Sequence, residues 1–370
     1  MPKNYKMRDH KADWLKTMNG NRSSRTITAH EDPFPLEASL RNRVVTEEMQ
    51  DSLLSAFATR ASGSGNRPIE EEPDSYRTCF ERDRDRVLHS SAFRRLAGKT
   101  QVFIFPSDHQ RTRLTHALEV SQVALAISRR LGLNPDLTEA IALGHDCGHG
   151  PGGHASEEAF EPFLPTGFDH APWGAFVTLT RLNLCSETSD GIANHSWSRP
   201  KPATPEGEVV SLADRIAYCA HDLEDAIHAG IIKADRLPEA IAGSVGAGRN
   251  KQLDYFIRDV VTTTVGSKII GLSPEAGETL AAIRQFNYEQ IYSRPDSRRQ
   301  SEMVIDVLTA LTEYFIANPR AVPDLTPGVP ESVQAVAYVN GMTDRFAFHS
   351  AIELLDWPRT KIPNGIDLLR

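Results

Sequence analysis

The feature that most constrains this chain is the apolar stripe from Leu114 to Leu131. Leu114, Leu118, Val120, Ala124, Leu125, Ile127 and Leu131 recur at three- and four-residue intervals, the period of an α-helix with a broad buried face. The same period returns in RDRDRVLHSSAFRRL, in DLTEAIALGHD, over 206–229, and in the segments 250–265, 275–291, 300–316 and 331–355. No segment alternates convincingly with the period of two that a half-buried strand requires. The punctuation agrees: Asn134 stands where a helix N-cap is needed, Pro135 suits the first helical position, and Gly230 sits at an expected helix stop. A mostly α-helical protein is expected.

Composition narrows the class. Of 370 residues, 40% are hydrophobic and 24% charged, enough to bury a core of ordinary size. No apolar run approaches the roughly 18 residues of a spanning helix, and MPKNYKMRDHKADW lacks the apolar stretch of a secretory signal. The widely spaced Cys79, Cys147, Cys185 and Cys219 read as reduced cytoplasmic thiols rather than a disulfide framework. Residues 1–73 are polar and broken, and SGSGNRP at 62–68 reads as a loop or mobile linker.

A net charge of −8 argues against coating nucleic acid by bulk basicity. Within that acidic chain, however, Arg77, Arg82, Arg84, Arg86, Arg94, Arg95, Lys99, Arg111 and Arg113 crowd one stretch. Two readings are open: a focused anion site, or a helix face paired with Glu81, Asp83 and Asp85.

The chemistry is concentrated in ALGHDCGHGPGGHASEE. His145, Asp146, His149, His154 and Glu157 stand together at the end of an apolar helix and across a glycine-rich turn, in a chain with only 13 histidines. On a helix, neighbouring side chains diverge by about 100°, so a long His and a short Asp at its end can meet on one ion. His116 lies on the helix that carries the apolar stripe, and Asp214 sits among Val209, Val210, Leu212 and Ile216. A carboxylate in such company must be paired, protonated or metal-bound. Two imidazoles and two carboxylates suit Mn²⁺, Fe²⁺, Co²⁺ or Zn²⁺ better than Ca²⁺. Arg113 is one turn from His116, and Asp214, Tyr218 and Asp222 share a stripe at i, i+4 and i+8.

The ordered set His…His-Asp…Asp resembles the HD-domain superfamily of metal-dependent phosphohydrolases. More narrowly, DRDRVLHSSAFRRLAGKTQVF, RTRLTHALEV, LGHDCGHGPGGHASEEAF, GIANHS, SLADRIAYCAHDLEDA and YVNGMTDRFA resemble the bacterial dGTPase-like deoxynucleoside triphosphate triphosphohydrolases. The resemblance implies an all-α fold, an HD-domain helical bundle core with additional C-terminal helices. The expected division is an extension over 1–73, the phosphohydrolase core over 74–230 and a C-terminal helical region over 231–370.

It further implies hydrolysis of a dNTP to deoxynucleoside and triphosphate by water attack on the α-phosphorus. Its divalent metal, Mn²⁺ or Mg²⁺ first, with Fe²⁺, Co²⁺, Zn²⁺ or Ni²⁺ also accepted, would be held by His116, His145, Asp146 and Asp214. His154 and Glu157 match the catalytic His and carboxylate, and His149 and His170 match further active-site histidines. Arg113 and Arg215 match phosphate contacts, Tyr218 and Asp222 sugar contacts, and Gln101 the glutamine that packs near C2′. Family members are commonly cytoplasmic homo-oligomers, with dNTP effectors at subunit contacts. Other readings are a different HD nucleotide phosphohydrolase or phosphodiesterase, or a nucleotide- or single-stranded-DNA-binding regulator gripping a backbone through Arg84, Arg86, Arg94 and Arg95. The sequence departs from the family at Cys147, where an aliphatic residue is usual, and at Gly152, where an aromatic is common. The smaller Gly152 is expected to loosen the loop bearing His154.

Overall fold

The computed structural model describes residues 10–106, 109–323 and 325–363. They fall into two compact units, Met1–Arg41 and Asn42–Arg370. In the first, helix α1 (His10–Thr17) buries no residue, and Asn21–Arg22 pairs antiparallel with Ile27–Thr28.

The second unit is built of helices. In chain order they are α2 (Arg43–Leu53), α3 (Cys79–His89), α4 (Ser91–Arg95), α5 (Arg113–Leu131), α6 (Pro135–Gly144), α7 (Ala155–Phe160), α8 (His170–Trp173) and α9 (Ser186–Ala193). There follow α10 (Pro205–His228), α11 (Glu239–Ala242), α12 (Arg249–Ser267), α13 (Pro274–Asn287), α14 (Pro295–Ala317), α15 (Glu331–Asn340) and α16 (Asp344–Leu355). The protein is all-α, with the two-residue hairpin the one sheet among the described residues.

Local chemistry explains the boundaries. Thr78 and Glu81 form a reciprocal capping box on α3, and Asn134 accepts from the N–H groups of Asp136 and Leu137 at the start of α6. Gly132 closes α5 in the left-handed region. The expected helix over 331–355 is two helices, broken at Gly341–Thr343, because Thr343 caps a new start by accepting from the Phe346 N–H. Over 275–291 the α-helix ends at Asn287, and the chain continues as one wide π turn, Tyr288–Tyr292.

Two apolar cores result. The first joins α5, α6 and α10 through residues such as Val120, Ile127, Leu137, Ile141, Val209 and Ile216. The second packs α7 against α14, α15 and α16 through Phe160, Val304, Leu308, Leu311, Val339 and Phe348. A fully buried Leu, Ile or Phe contributes roughly 1.5–3 kcal/mol, so both cores hold their helices firmly.

Ion pairs answer the question left by the basic stretch. Arg77 pairs with Asp74 and Asp85, Arg82 and Arg86 with Glu71, and Arg84 with Asp85 and Asp136. The first half is a paired helix face. The segment 62–68 is a loop, but a fixed one: the buried Arg67 donates to Asp83 and to the carbonyls of Asn183 and Cys79.

Candidate active site

Three helices bring four side chains to one point. Helix α5 supplies His116, the end of α6 supplies His145 and Asp146, and α10 supplies Asp214. His116 Nε2 lies 3.0 Å from Asp214 Oδ1 and 3.9 Å from Asp146 Oδ2. His145 Nε2 lies 3.5 Å from Asp146 Oδ1 and 3.6 Å from Asp214 Oδ1. The α6 C-terminus adds its partial negative charge.

The tautomer of His145 shows what this point can hold. Its Nδ1 donates to the Ala142 carbonyl at 2.7 Å, which leaves Nε2 as a lone pair in the neutral ring. That Nε2 is buried, faces two carboxylates, and has no hydrogen-bond partner among the described residues. Positive charge is required there. Burial opposes charge on Asp146, yet Arg113, His145 and His149 hold it well below the usual carboxylate range. Asp214 is held down likewise by His116 and His145 against its burial. Burial would lower His145, but Asp146 and Asp214 outweigh it and push it up to about 9. Two imidazoles and two carboxylates at this spacing fit a divalent cation, and His116, His145 and Asp214 are close enough to bind one together.

Arg113 is buried and donates through Nη1 to Asp146 Oδ2 at 2.8 Å, while its Nε and Nη2 have no partner among the described residues. One guanidinium nitrogen thus orients a carboxylate of the centre, and two others are left without a protein partner among the described residues.

Beside this centre lies a second cluster. Glu157, on α7, takes His170 Nδ1 at 2.7 Å and His154 Nδ1 at 3.2 Å on the same Oε1, and His149 Nδ1 approaches it at 3.7 Å. Burial would raise Glu157, but His154 and His170 hold it well below the usual range. His154 is 76% exposed and so can meet a ligand, whereas His149 is buried and stacks on His170 at 3.7 Å.

Thr100, Gly152 and Asp344 hold the two clusters in register. Asp344, at the start of α16, accepts from the Thr100 N–H and hydroxyl with Oδ2 and from the Gly152 N–H with Oδ1. Lys99 caps the carbonyls of His149 and Asn340. The C-terminal segment YVNGMTDRFA thus pins the glycine turn. The loosening expected at Gly152 is not found: its φ is +71°, and an added Cβ would lie 2.5 Å from Val304 Cγ1, so the turn has room for glycine alone. Cys147 is a packing residue, its thiol pushed up to about 12 by burial.

A cavity of about 630 Å³ opens over both clusters. Every site residue expected from the sequence lines it except His145 and Glu157, which stand behind its wall. Asp222 accepts the Tyr292 hydroxyl with Oδ2, while its buried Oδ1 has no partner among the described residues. Burial raises Asp222 to about 7. Gln101 Oε1 is also buried and without a partner among the described residues. The Tyr218 hydroxyl accepts from Arg284 at 3.1 Å, and the Arg215 guanidinium stacks 3.6 Å over Trp197.

The sequence reading gave no role to His195, Trp197, Arg284, Tyr288, Tyr292 or Arg294, all of which line the cavity. His195 stood inside GIANHS, and its Nε2 lies 3.2 Å from His170 Nε2. The others had no local signal.

Comparison with known proteins fits this geometry. The HD domain family matches residues 113–219, and the phosphohydrolase-associated domain family matches 270–351. A deoxyguanosinetriphosphate triphosphohydrolase-like protein of Caldanaerobacter subterraneus subsp. tengcongensis is 43% identical over 319 residues, covering 83% of this chain and 94% of that protein. The chain belongs to the deoxyguanosinetriphosphate triphosphohydrolase-like family. A relative of the same name from Clostridium perfringens is 41% identical, covering 81% of this chain and 93% of its own length. A solved structure of a hypothetical protein from Aquifex aeolicus shares the fold, with a TM-score of 0.50 at 20% identity over 75% of this chain and 69% of that one. Membership makes the chain an HD-type hydrolase, and the His/Asp centre sits inside the matched HD region. No helix among the described residues is long and apolar enough to cross a membrane.

Proposed function

We propose that this protein hydrolyses deoxynucleoside triphosphates to deoxynucleoside and inorganic triphosphate by water attack on the α-phosphorus. The observation that carries the reading is the unpartnered His145 Nε2 between two carboxylates, within reach of a cavity whose rim carries an imidazole oriented by Glu157. The names of the relatives point to the same substrate class.

In this reading His116, His145, Asp146 and Asp214 hold Mn²⁺ or Mg²⁺. A bound divalent cation supplies charge neutralisation at phosphoryl oxygens and a more acidic water. Arg113 offers its free Nε and Nη2 to the phosphate chain, and Arg215 adds a second guanidinium. Glu157 fixes His154 by Nδ1, so that Nε2 delivers a proton to the departing 5′-oxygen. His149 and His170 support Glu157 from the buried side. The unpartnered Asp222 Oδ1 accepts from the sugar 3′-hydroxyl beside Tyr218, and Gln101 packs where a ribose 2′-hydroxyl would sit. Because Arg84 and Arg86 are already ion-paired, a strand-gripping role has less to stand on.

The test is a panel of dNTPs, singly and in mixtures, with Mn²⁺ and Mg²⁺ supplied separately. Deoxynucleoside and tripolyphosphate in equal amounts are expected. Release of pyrophosphate or monophosphate would reassign the chain to another HD phosphohydrolase chemistry. Inactivity with every dNTP, alongside a shift of single-stranded DNA, would favour a binding protein.

A further inference from the structure

The cluster around Glu157 has more converging donors than a proton-transfer pair needs. His149, His154 and His170 all turn Nδ1 toward the one oxygen Glu157 Oε1, at 3.7, 3.2 and 2.7 Å. Their four donor atoms lie within 4.8 Å of one another. His149 is the informative member. It is fully buried, and neither ring nitrogen has a hydrogen-bond partner among the described residues. Its Nε2 faces Asp146 Oδ1 at 3.3 Å, so a proton on the neutral ring belongs there. Nδ1 then presents a buried lone pair to an oxygen that is itself an acceptor, an arrangement that a cation between them would satisfy.

We propose that His149, His154, Glu157 and His170 form a second cation site, selective for Zn²⁺, that is separate from the His116/His145/Asp146/Asp214 centre and inhibitory when filled. Three imidazoles and one carboxylate are a tetrahedral donor set suited to Zn²⁺, whereas Mg²⁺ prefers oxygen ligands in an octahedron. Zinc there occupies His154 Nδ1 and Glu157 Oε1 together, which breaks the contact that orients the imidazole. The binding half stands on geometry alone, and the inhibitory half rests on the proton-transfer role proposed above.

The test counts ions. Full-length chain stripped with a chelator is titrated with Zn²⁺, then with Co²⁺ as a visible reporter, and bound metal is measured after gel filtration. Wild type should hold two zinc ions per chain, and Asp214→Ala one. Because His154 is exposed, His154→Ala should fold normally and weaken the second ion by at least about tenfold, the range already seen when a mere supporting group is lost. Glu157→Gln should do the same and change the Co²⁺ spectrum. A single zinc in wild type, or a second ion held as tightly in both variants, overturns the site. Two bound ions with undiminished dNTP turnover overturn the inhibitory half. A chain that hydrolyses no dNTP sinks the proposed function and the inhibitory half with it, while the zinc count decides the binding site regardless.

Discussion

The two cores of the larger unit carry different halves of the candidate site. The first, of α5, α6 and α10, mounts His116, His145, Asp146 and Asp214, with the first three almost wholly buried. The second, of α7 and α14 to α16, mounts Glu157 and the exposed His154. Rigid burial suits groups that must fix a cation against their own repulsion. Exposure suits a group that must meet a substrate and exchange a proton with it. On the proposed function, the difference makes the chemistry depend on the seam between the cores, where Asp344 accepts from Thr100 and Gly152.

The severest test of this division is Asp214→Ala. It removes an oxygen shared by His116 and His145, so the tightly held Mn²⁺ and all turnover should be lost together. Metal analysis after dialysis, showing wild-type Mn²⁺ content, would break the assignment of ion holding to the first core. Next in size is Glu157→Gln. Turnover should fall by about 10²-fold or more, the usual share of general acid–base catalysis, with bound Mn²⁺ and substrate affinity nearly unchanged. An effect confined to KM would place Glu157 on the wrong side of the comparison.

The first core was legible in the sequence because its period and its chemistry coincide. The stripe Leu114–Leu131 predicts α5, the helix that carries His116, although Leu118 within it is exposed, and an aspartate among Val209, Val210 and Ile216 cannot be idle. Resemblance to a family then added Gln101, which no spacing would have singled out, and gave a role to Asp222, which spacing had placed only on the Asp214 stripe. The opposite wall was not legible. Arg284, Tyr288 and Tyr292 reach the cavity from the end of α13 and its π turn, a local widening of the helix that apolar periodicity does not register. The break at Gly341–Thr343 was missed for a related reason: the apolar period runs on through it, while the Thr343 cap ends one helix and starts another. Asp344, just past that cap, stood inside YVNGMTDRFA with no role of its own, yet it bonds both Thr100 and Gly152.

Asp222 sharpens the comparison through pH. It is buried against Tyr292 on the opposite wall, and burial raises it from 3.8 to about 7. A raised carboxyl favours the folded state while protonated. That contribution is complete below about pH 4 and is lost as pH climbs through 7. At about 1.4 kcal/mol per unit, the loss is on the order of 4 kcal/mol. Asp222→Asn should remove it, so the melting temperature of the variant should gain on wild type between pH 4 and pH 8, even as its KM for a dNTP rises. Parallel melting curves across that interval would mean that Asp222 is already ionised in the fold.

The smallest expected effect isolates the second core. Gly152 has φ of +71°, and a Cβ there would stand 2.5 Å from Val304 Cγ1 on α14. The backbone strain of Gly152→Ala costs about 1–2 kcal/mol, and the crowding adds to it. Because Val304 belongs to the second core, the glycine turn must shift while His116, His145 and Asp214 stay in place. Turnover should therefore drop with Mn²⁺ content at the wild-type level, and melting should fall by a few degrees. Adding Val304→Ala relieves the crowding but not the backbone strain, so the double variant should recover part of the activity. Full recovery would show that the left-handed turn matters little, and loss of Mn²⁺ in the single variant would show that the two cores do not divide the work.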